Sequence, residues 1–289
     1  METAEPIVSF QGELGAFSEM AARSYFNEHV KVRPQPDFSA LFEAVASGSA
    51  THGMVPIENT LMGSIHENYD QLLKHNLHII GELKLRIIHN LIVNPGVQLE
   101  DIQRIYSQAP ALAQCTDFIH SLPNARPVAA PDTAGAVKDL KESGARDAAA
   151  IASAQAAIDY NLEILKNGVE NDHENYTRFL VVAKDPVSPG DPAKTSVVFA
   201  LKNAPGALYK SLGAFAERDI NLLKIESHPL EGQPWEYAFY LDLEGHLGHP
   251  SCAEAIAALD SLATFTKILG SYPLGKAVEG TVRPKSPSS

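Results

Sequence analysis

Before residue 160, a short apolar run ends four times at a polar residue and passes directly into a helical pattern. Ile7-Val8-Ser9-Phe10 leads through a glycine turn to Ser18, and Arg104-Ile105-Tyr106 leads to Ser107. Pro127-Val128-Ala129-Ala130 leads to Asp132-Thr133, and Ala148 to Ala152 leads to Ser153. Apolar runs this short read as strands, and each polar residue sits where a helix N-cap is wanted. Ser39 is placed the same way before Leu41, Phe42 and Val45. Strand, cap and helix in repetition predict a doubly wound α/β sheet, which binds ligands outside the carboxyl ends of its strands.

Two stretches concentrate polar residues at such ends. Gly53-Met54-Val55-Pro56-Ile57 runs into Glu58, Asn59 and Thr60, with Gly63-Ser64 close behind. Pro56 cannot donate to a ladder, so the strand is expected to end or become an edge there. Asn175-Tyr176-Thr177-Arg178-Phe179 precedes the apolar run Leu180-Val181-Val182-Ala183, which reads as a buried strand. Regular β geometry would point Thr177 and Arg178 to opposite faces; both meet one cleft only if the backbone is loop-like there. Gly12 and Gly15 open the turn before Ser18, whose helix is expected from Glu19 to about Phe26, but a third glycine is missing and no dinucleotide fingerprint results. His75 and His78 lack a third ligand and read as helix-surface residues rather than a metal site.

The pattern changes at Lys184-Asp185-Pro186-Val187-Ser188-Pro189-Gly190-Asp191-Pro192, a linker by its proline and glycine content. Beyond it Thr195 to Leu201 is a strand, and Leu208, Leu212 and Phe215 mark a helix face. Asn221 to Glu226 is a strand, and Trp235, Tyr237, Phe239 and Leu241 alternate on a third. Pro250 opens a second helix, and Thr264 to Gly270 is a last strand. The order βαββαβ is that of a ferredoxin-like unit. Boundaries follow at 5–186, 192–273 and a polar tail at 276–289 expected to be disordered.

At 289 residues with a formal charge of −12, the chain lacks the basic surface that nucleic acid requires. An anionic ligand would therefore rely on local donors, Arg178, Lys84, Arg86 or helix N-termini. The sequence has no run of eighteen apolar residues, and Met1 to Pro6 lacks a signal-peptide pattern. With only Cys115 and Cys252, unpaired in spacing, a reducing cytoplasm is expected.

Several motifs together resemble prephenate dehydratase with a C-terminal ACT regulatory domain. They are Val55-Pro56-Ile57-Glu58-Asn59 with Gly63-Ser64, Asp132-Thr133-Ala134-Gly135-Ala136 and Thr177-Arg178-Phe179, then Gly206-Ala207-Leu208 and Glu226-Ser227-His228-Pro229. The similarity spans about Ile7 to Tyr272 and implies a two-lobed catalytic domain like a periplasmic binding protein. It departs at Ser107-Gln108-Ala109-Pro110, where the family has Ser-His-Pro-Gln, at His228, where it has Arg, and at Asn171, where it has Asp.

The resemblance implies decarboxylating dehydration of prephenate to phenylpyruvate, in L-phenylalanine biosynthesis, without metal or redox cofactor. Thr177 would hydrogen-bond the leaving hydroxyl, Glu58 would donate the proton, and Arg178 would clamp a carboxylate. Ser18, Asn59, Thr60, Ser64, Ser107, Gln114, Thr133 and Phe179 would bind substrate. L-Phenylalanine would act as allosteric effector on Gly206, Ala207, Leu208, Asn221, Leu222, Glu226 and Ser227, in a homodimer or homotetramer. Arogenate dehydratase, or a non-catalytic amino-acid-sensing binding protein, are the alternative readings. Neither Ser107 nor Ser153 has the paired base that a nucleophile requires.

Overall fold

The computed structural model describes residues 5–229, 237–280 and 282. Trp235 and the ends of the chain, at 1–4, 281 and 283–289, lie outside the described residues. The chain divides into two compact units. The first holds the described residues up to Gln71, Leu83–Phe179 and those from Ala277; the second holds Leu72–Glu82 and Leu180–Lys276.

In chain order the elements begin with β1 (Ile7–Gln11), α1 (Phe17–Tyr25), β2 (Lys31–Gln35), α2 (Phe38–Ser47), β3 (His52–Asn59) and β4 (Gly63–Ser64). Next come α3 (His66–Lys74), β5 (His78–Arg86), β6 (Asn90–Val93), β7 (Arg104–Ser107), α4 (Ala109–Ala113) and α5 (Thr116–His120). The stretch closes with β8 (Arg126–Ala129), α6 (Thr133–Ser143), β9 (Ala148–Ala152), α7 (Ala154–Tyr160), β10 (Glu163–Lys166) and β11 (Tyr176–Ala183).

Two sheets form from these strands. One has the order β5-β11-β3-β1-β2, with β4 on β3; the other has the order β10-β6-β9-β7-β8. The expected parallel winding holds around β1 and β7, but β6 and β10 run antiparallel, so the second sheet is mixed. The chain crosses between the sheets at 87–89 and returns at 167–175. The crossings are tied by Ile87 N–H to the Asn175 carbonyl at 2.8 Å and Val169 N–H to the His89 carbonyl at 2.9 Å.

Three of the predicted caps are displaced. Ala16 is the N-cap of α1 and Ser18 its second residue, because a turn from Glu13 to Ala16 starts the helix early. Asp37, not Ser39, caps α2 by accepting from Ala40 N–H. Ser107 precedes α4 but spends its hydroxyl on the Ile151 carbonyl of the neighbouring strand. Asp132 and Ser153 do cap α6 and α7, accepting from Gly135 and Ala156 N–H. Pro56 does not end β3; it lies past Met54, the last residue paired with β1, where no ladder donor is needed on that side. His78 opens β5 and His75 lies beyond the end of α3, so neither is on a helix surface.

The second unit contains β12 (Ala193–Ala200), α8 (Ala207–Ala216), β13 (Leu222–Pro229), β14 (Tyr237–Glu244), α9 (Pro250–Leu262) and β15 (Phe265–Pro273). Its sheet order, β13-β14-β12-β15, is wholly antiparallel and has the ferredoxin-like arrangement. Val197, Phe199, Leu241 and Leu243 pack beneath Phe215 of α8 and Ile256 and Leu259 of α9. A polar chain runs through this unit: Lys194 meets Glu82 at 3.0 Å and Asp242 at 4.0 Å, and Ser196 donates to Asp242. The last strand, β16 (Ala277–Glu279), pairs parallel with β5, so those residues are ordered where a disordered tail is expected.

Both cysteines are free and buried; burial pushes the Cys115 thiol up to about 12, as for an inert apolar side chain. No helix among the described residues is long and apolar enough to cross a membrane.

Candidate active site

A cavity of about 290 Å³ opens in the first unit, where strand ends and helix starts of its two sheets converge. Its lining includes the end of β3 (Asn59), the crossing (His89), the first turns of α1 and α6 (Ser18, Thr133) and alternate residues of β11 (Thr177, Phe179). Strand ends gather there because the helices that follow β1, β7 and β8 fold back over their sheets.

β11 is regular from Tyr176, and burial alternates over its first four residues before the strand becomes buried on both faces. Thr177 and Phe179 face the cavity; Arg178, on the opposite face, is not among the lining residues. The condition under which Arg178 would clamp a substrate is therefore not met. The same alternation separates Asn59 from Glu58, which pairs with Ser64 of β4, and neither Glu58 nor Ser64 lines the cavity. Thr60 instead clips two strands: its hydroxyl donates to the Glu174 carbonyl at 2.8 Å and accepts from Tyr176 N–H at 2.9 Å. Ser107 is fully buried on its bond to Ile151. Ser18, Asn59, Gln114, Thr133, Thr177 and Phe179 are the predicted residues that the fold brings together.

Asn59 is the hub. Its amide donates to the Thr177 hydroxyl at 3.0 Å and to Asn175 Oδ1 at 2.8 Å, while its oxygen accepts from Leu61 and Met62 N–H and from Gln114 Nε2. Gln114 Oε1 accepts from Asn175 Nδ2 at 2.9 Å and faces His89 Nε2 at 2.9 Å. That bond assigns the ring proton to Nε2. The network orients Thr177 so that its oxygen accepts from Asn59 and its proton is available to a group in the cavity.

The motifs did not mark His89, Gln108 or Asn175 as site residues. His89 interrupts an apolar run, a legible signal; Gln108 stands where the family carries His, and nothing local marks Asn175. The ionisable lining groups are His89 and Asp132, with no Lys or Arg among the described lining. Arg86 turns to the His173 carbonyl and Glu170, and Lys84 is exposed on β5, so anion binding falls to neutral donors and to the helix starts. No side chain caps α1 at Ala16.

Burial lowers the His89 pKa, opposed by the hydrogen bond to Gln114 and the charge of Glu170. A histidine held neutral in the fold adds stability that is fully present above its unfolded value of about 6.5 and is lost as pH falls below it. His89→Gln is expected to shrink the pH dependence of Tm between pH 7.5 and 5.5. An unchanged slope would show that His89 does not titrate with unfolding.

In the second unit Gly206, at φ 77°, is the N-cap of α8, and Ala207 and Leu208 line a pocket of about 150 Å³ with Leu201, Tyr237 and Phe239. Asn221 donates to Glu244 at the far end of β14, and Leu222 pairs with Leu243 beside it. Glu226 and Ser227 lie on β13, Glu226 facing Lys224 at 3.4 Å.

Residues 8–187 match the Prephenate dehydratase family. The chain is 44% identical over 278 residues to Arogenate dehydratase/prephenate dehydratase 2, chloroplastic, of Arabidopsis thaliana, covering 92% of this chain and 72% of the relative. It superposes on prephenate dehydratase from Arthrobacter aurescens, solved in complex with L-Phe, with TM-score 0.86, 33% identity and 93% and 90% of the two chains covered. A structure described as GqqA, a novel type of quorum quenching acylase, matches with TM-score 0.84, 36% identity and 92% and 97% coverage.

Proposed function

The chain belongs to the prephenate dehydratase family, and we propose that its cavity converts prephenate to phenylpyruvate with Thr177 as the group that assists departure of the ring hydroxyl. The ring carboxylate leaves as carbon dioxide, its bonding electrons enter the ring, and the hydroxyl departs with one proton as water. Aromatisation supplies the driving force, so the protein has to hold the substrate and protonate the leaving group. The observation that carries this reading is the Asn59 to Thr177 bond, in which the Thr177 oxygen is the acceptor, so its own proton can be given to a substrate in the cavity. The first turn of α1, which has no side-chain cap, suits a substrate carboxylate, whereas that of α6 already carries the Asp132 carboxylate; Ser18, Thr133 and Gln108 add neutral donors. Glu58 is left out of the chemistry by its face on β3, and Asn59 acts by positioning.

One observation favours arogenate as a second substrate. The Asp132 carboxylate lines the cavity and gives an ammonium group a partner, and the Arabidopsis relative carries both activities in its name. An acylase reading has less support: Ser107 and Ser153 both donate to buried carbonyls, and neither is paired with a base. The deciding experiment incubates purified protein separately with prephenate, arogenate and an N-acyl amide, and follows phenylpyruvate, phenylalanine and free acid. Dehydration products are expected; release of acid alone would overturn the dehydratase reading.

The second unit is proposed to be an ACT domain that binds L-phenylalanine, the ligand of the Arthrobacter structure. Gly206 to Leu208 and Asn221 to Leu222 lie toward opposite ends of β14 within one copy, so a site that uses both sets draws on two copies. A homodimer, or a homotetramer built from it, follows. Two unpaired cysteines suit a reducing compartment, the cytoplasm in the simplest case.

A further inference from the structure

At one end of the second unit's sheet, three side chains converge that neither the dehydratase chemistry nor the amino-acid site uses. His246 and His249 occupy the turn between β14 and α9, and Asp191 lies two residues before β12. The backbone holds these segments together: Gly245 N–H donates to the Ala193 carbonyl at 2.8 Å, and His249 N–H to the His246 carbonyl at 2.9 Å. Asp191 Oδ2 lies 3.1 Å from His249 Nε2, and Oδ1 lies 3.8 Å from His246 Nε2. The two rings are 4.0 Å apart at an angle of 41°.

One ligand atom from each residue lies within 4.8 Å of the others, and no other such group of three occurs among the described residues. Tetrahedral zinc, with bonds of about 2.0–2.1 Å, separates its ligand atoms by roughly 3.3 Å. The two contacts, 3.1 Å from Oδ2 and 3.8 Å from Oδ1 of Asp191, each lie within about half an ångström of that spacing. A metal ion would take a lone pair from one nitrogen of each neutral ring. We propose that Asp191, His246 and His249 bind a divalent transition-metal ion of the zinc class, leaving a fourth coordination position open to water.

The donor set decides the class. Two imidazoles and a carboxylate suit Zn²⁺, Co²⁺ or Ni²⁺, whereas Mg²⁺ and Ca²⁺ prefer all-oxygen shells. The side chains of Asp191 and His249 are 60% and 41% exposed, which gives the ion a way in. His246 Nδ1 accepts from Gly248 N–H at 3.0 Å, and ligation through Nε2 gives up that bond, a small loss beside a metal–imidazole bond. Cys252 is not in the set, since its thiol turns to the Glu244 carbonyl. A bound ion would tie the linker residue Asp191 to the turn that starts α9.

The test uses the full chain without a histidine tag, stripped by chelator, alongside His249→Ala and Asp191→Asn. Each is titrated with Zn²⁺ by calorimetry and with Co²⁺ by visible absorption, after metal-free Tm and dehydratase turnover are shown to match wild type. Wild type is expected to take up one equivalent at micromolar affinity or better, with a rise in Tm of a few degrees and a Co²⁺ band. Each variant should bind at least about tenfold more weakly and lose the band. Equal stoichiometry and affinity in the variants, or no saturable uptake by wild type, would overturn the assignment. A variant that fails the metal-free comparison is replaced by His246→Gln, read in the same way.

Discussion

Thr177→Val is expected to lower turnover by about 10²–10⁴-fold, the range for losing one positioned proton donor, while leaving the fold intact. Valine keeps the branched shape that β11 accommodates. It removes both the proton offered to the cavity and the acceptor for the Asn59 amide at 3.0 Å. Asn59 retains Asn175 Oδ1 and the Tyr176 carbonyl, so the stability loss should remain near that of a single hydrogen bond, about 1 kcal/mol. Steady-state turnover and thermal unfolding on one preparation separate the two effects. A variant within a few-fold of wild type would remove Thr177 from the mechanism. Thr177→Ser, which keeps the hydroxyl, should retain most of the activity.

Lys194→Met is expected to destabilise the protein by about 3–5 kcal/mol, because it takes the ammonium away from a buried carboxylate. Glu82 is fully buried and lies 3.0 Å from the Lys194 ammonium, itself 6% exposed, with Asp242 beyond at 4.0 Å. Gly275 N–H donates to Glu82 at 3.1 Å, a neutral contact that does not balance the carboxylate charge as the ammonium does. The Tm should fall by roughly 10 °C or more for a chain of this size. Adding Glu82→Gln to Lys194→Met should restore a large part of the loss, since a neutral amide costs less to bury than an unpaired carboxylate. A single variant within about 0.5 kcal/mol of wild type, the range of an ordinary surface change, would show that water already reaches the pair.

Local periodicity carries most of the secondary structure. The apolar runs at 7–10, 148–152 and 180–183 become β1, β9 and β11, and the alternation of Tyr237, Phe239 and Leu241 becomes β14. The caps were less legible. Ser18, Ser39 and Ser107 were plausible caps by type, and the fold used Ala16, Asp37 and Gln108 at those positions instead. A serine hydroxyl bonds whichever group lies nearest, and for Ser107 that is the Ile151 carbonyl on the neighbouring strand.

The sequence by itself determined that strand ends rich in polar residues would lie beside helix starts, because a period of two and a period of 3.6 are written locally. It determined too that Thr177 and Arg178 must part if β11 is regular. Only the tertiary structure decided that β11 is regular, so that Thr177 meets the cavity and Arg178 does not. It alone joined Asn59, Gln114, Asn175 and Thr177 in one network, and Asp191 with His246 and His249 in one cluster. Those partners are more than fifty residues apart in several cases, and a contact at such separation is set by sheet order and register, which no local window of sequence encodes.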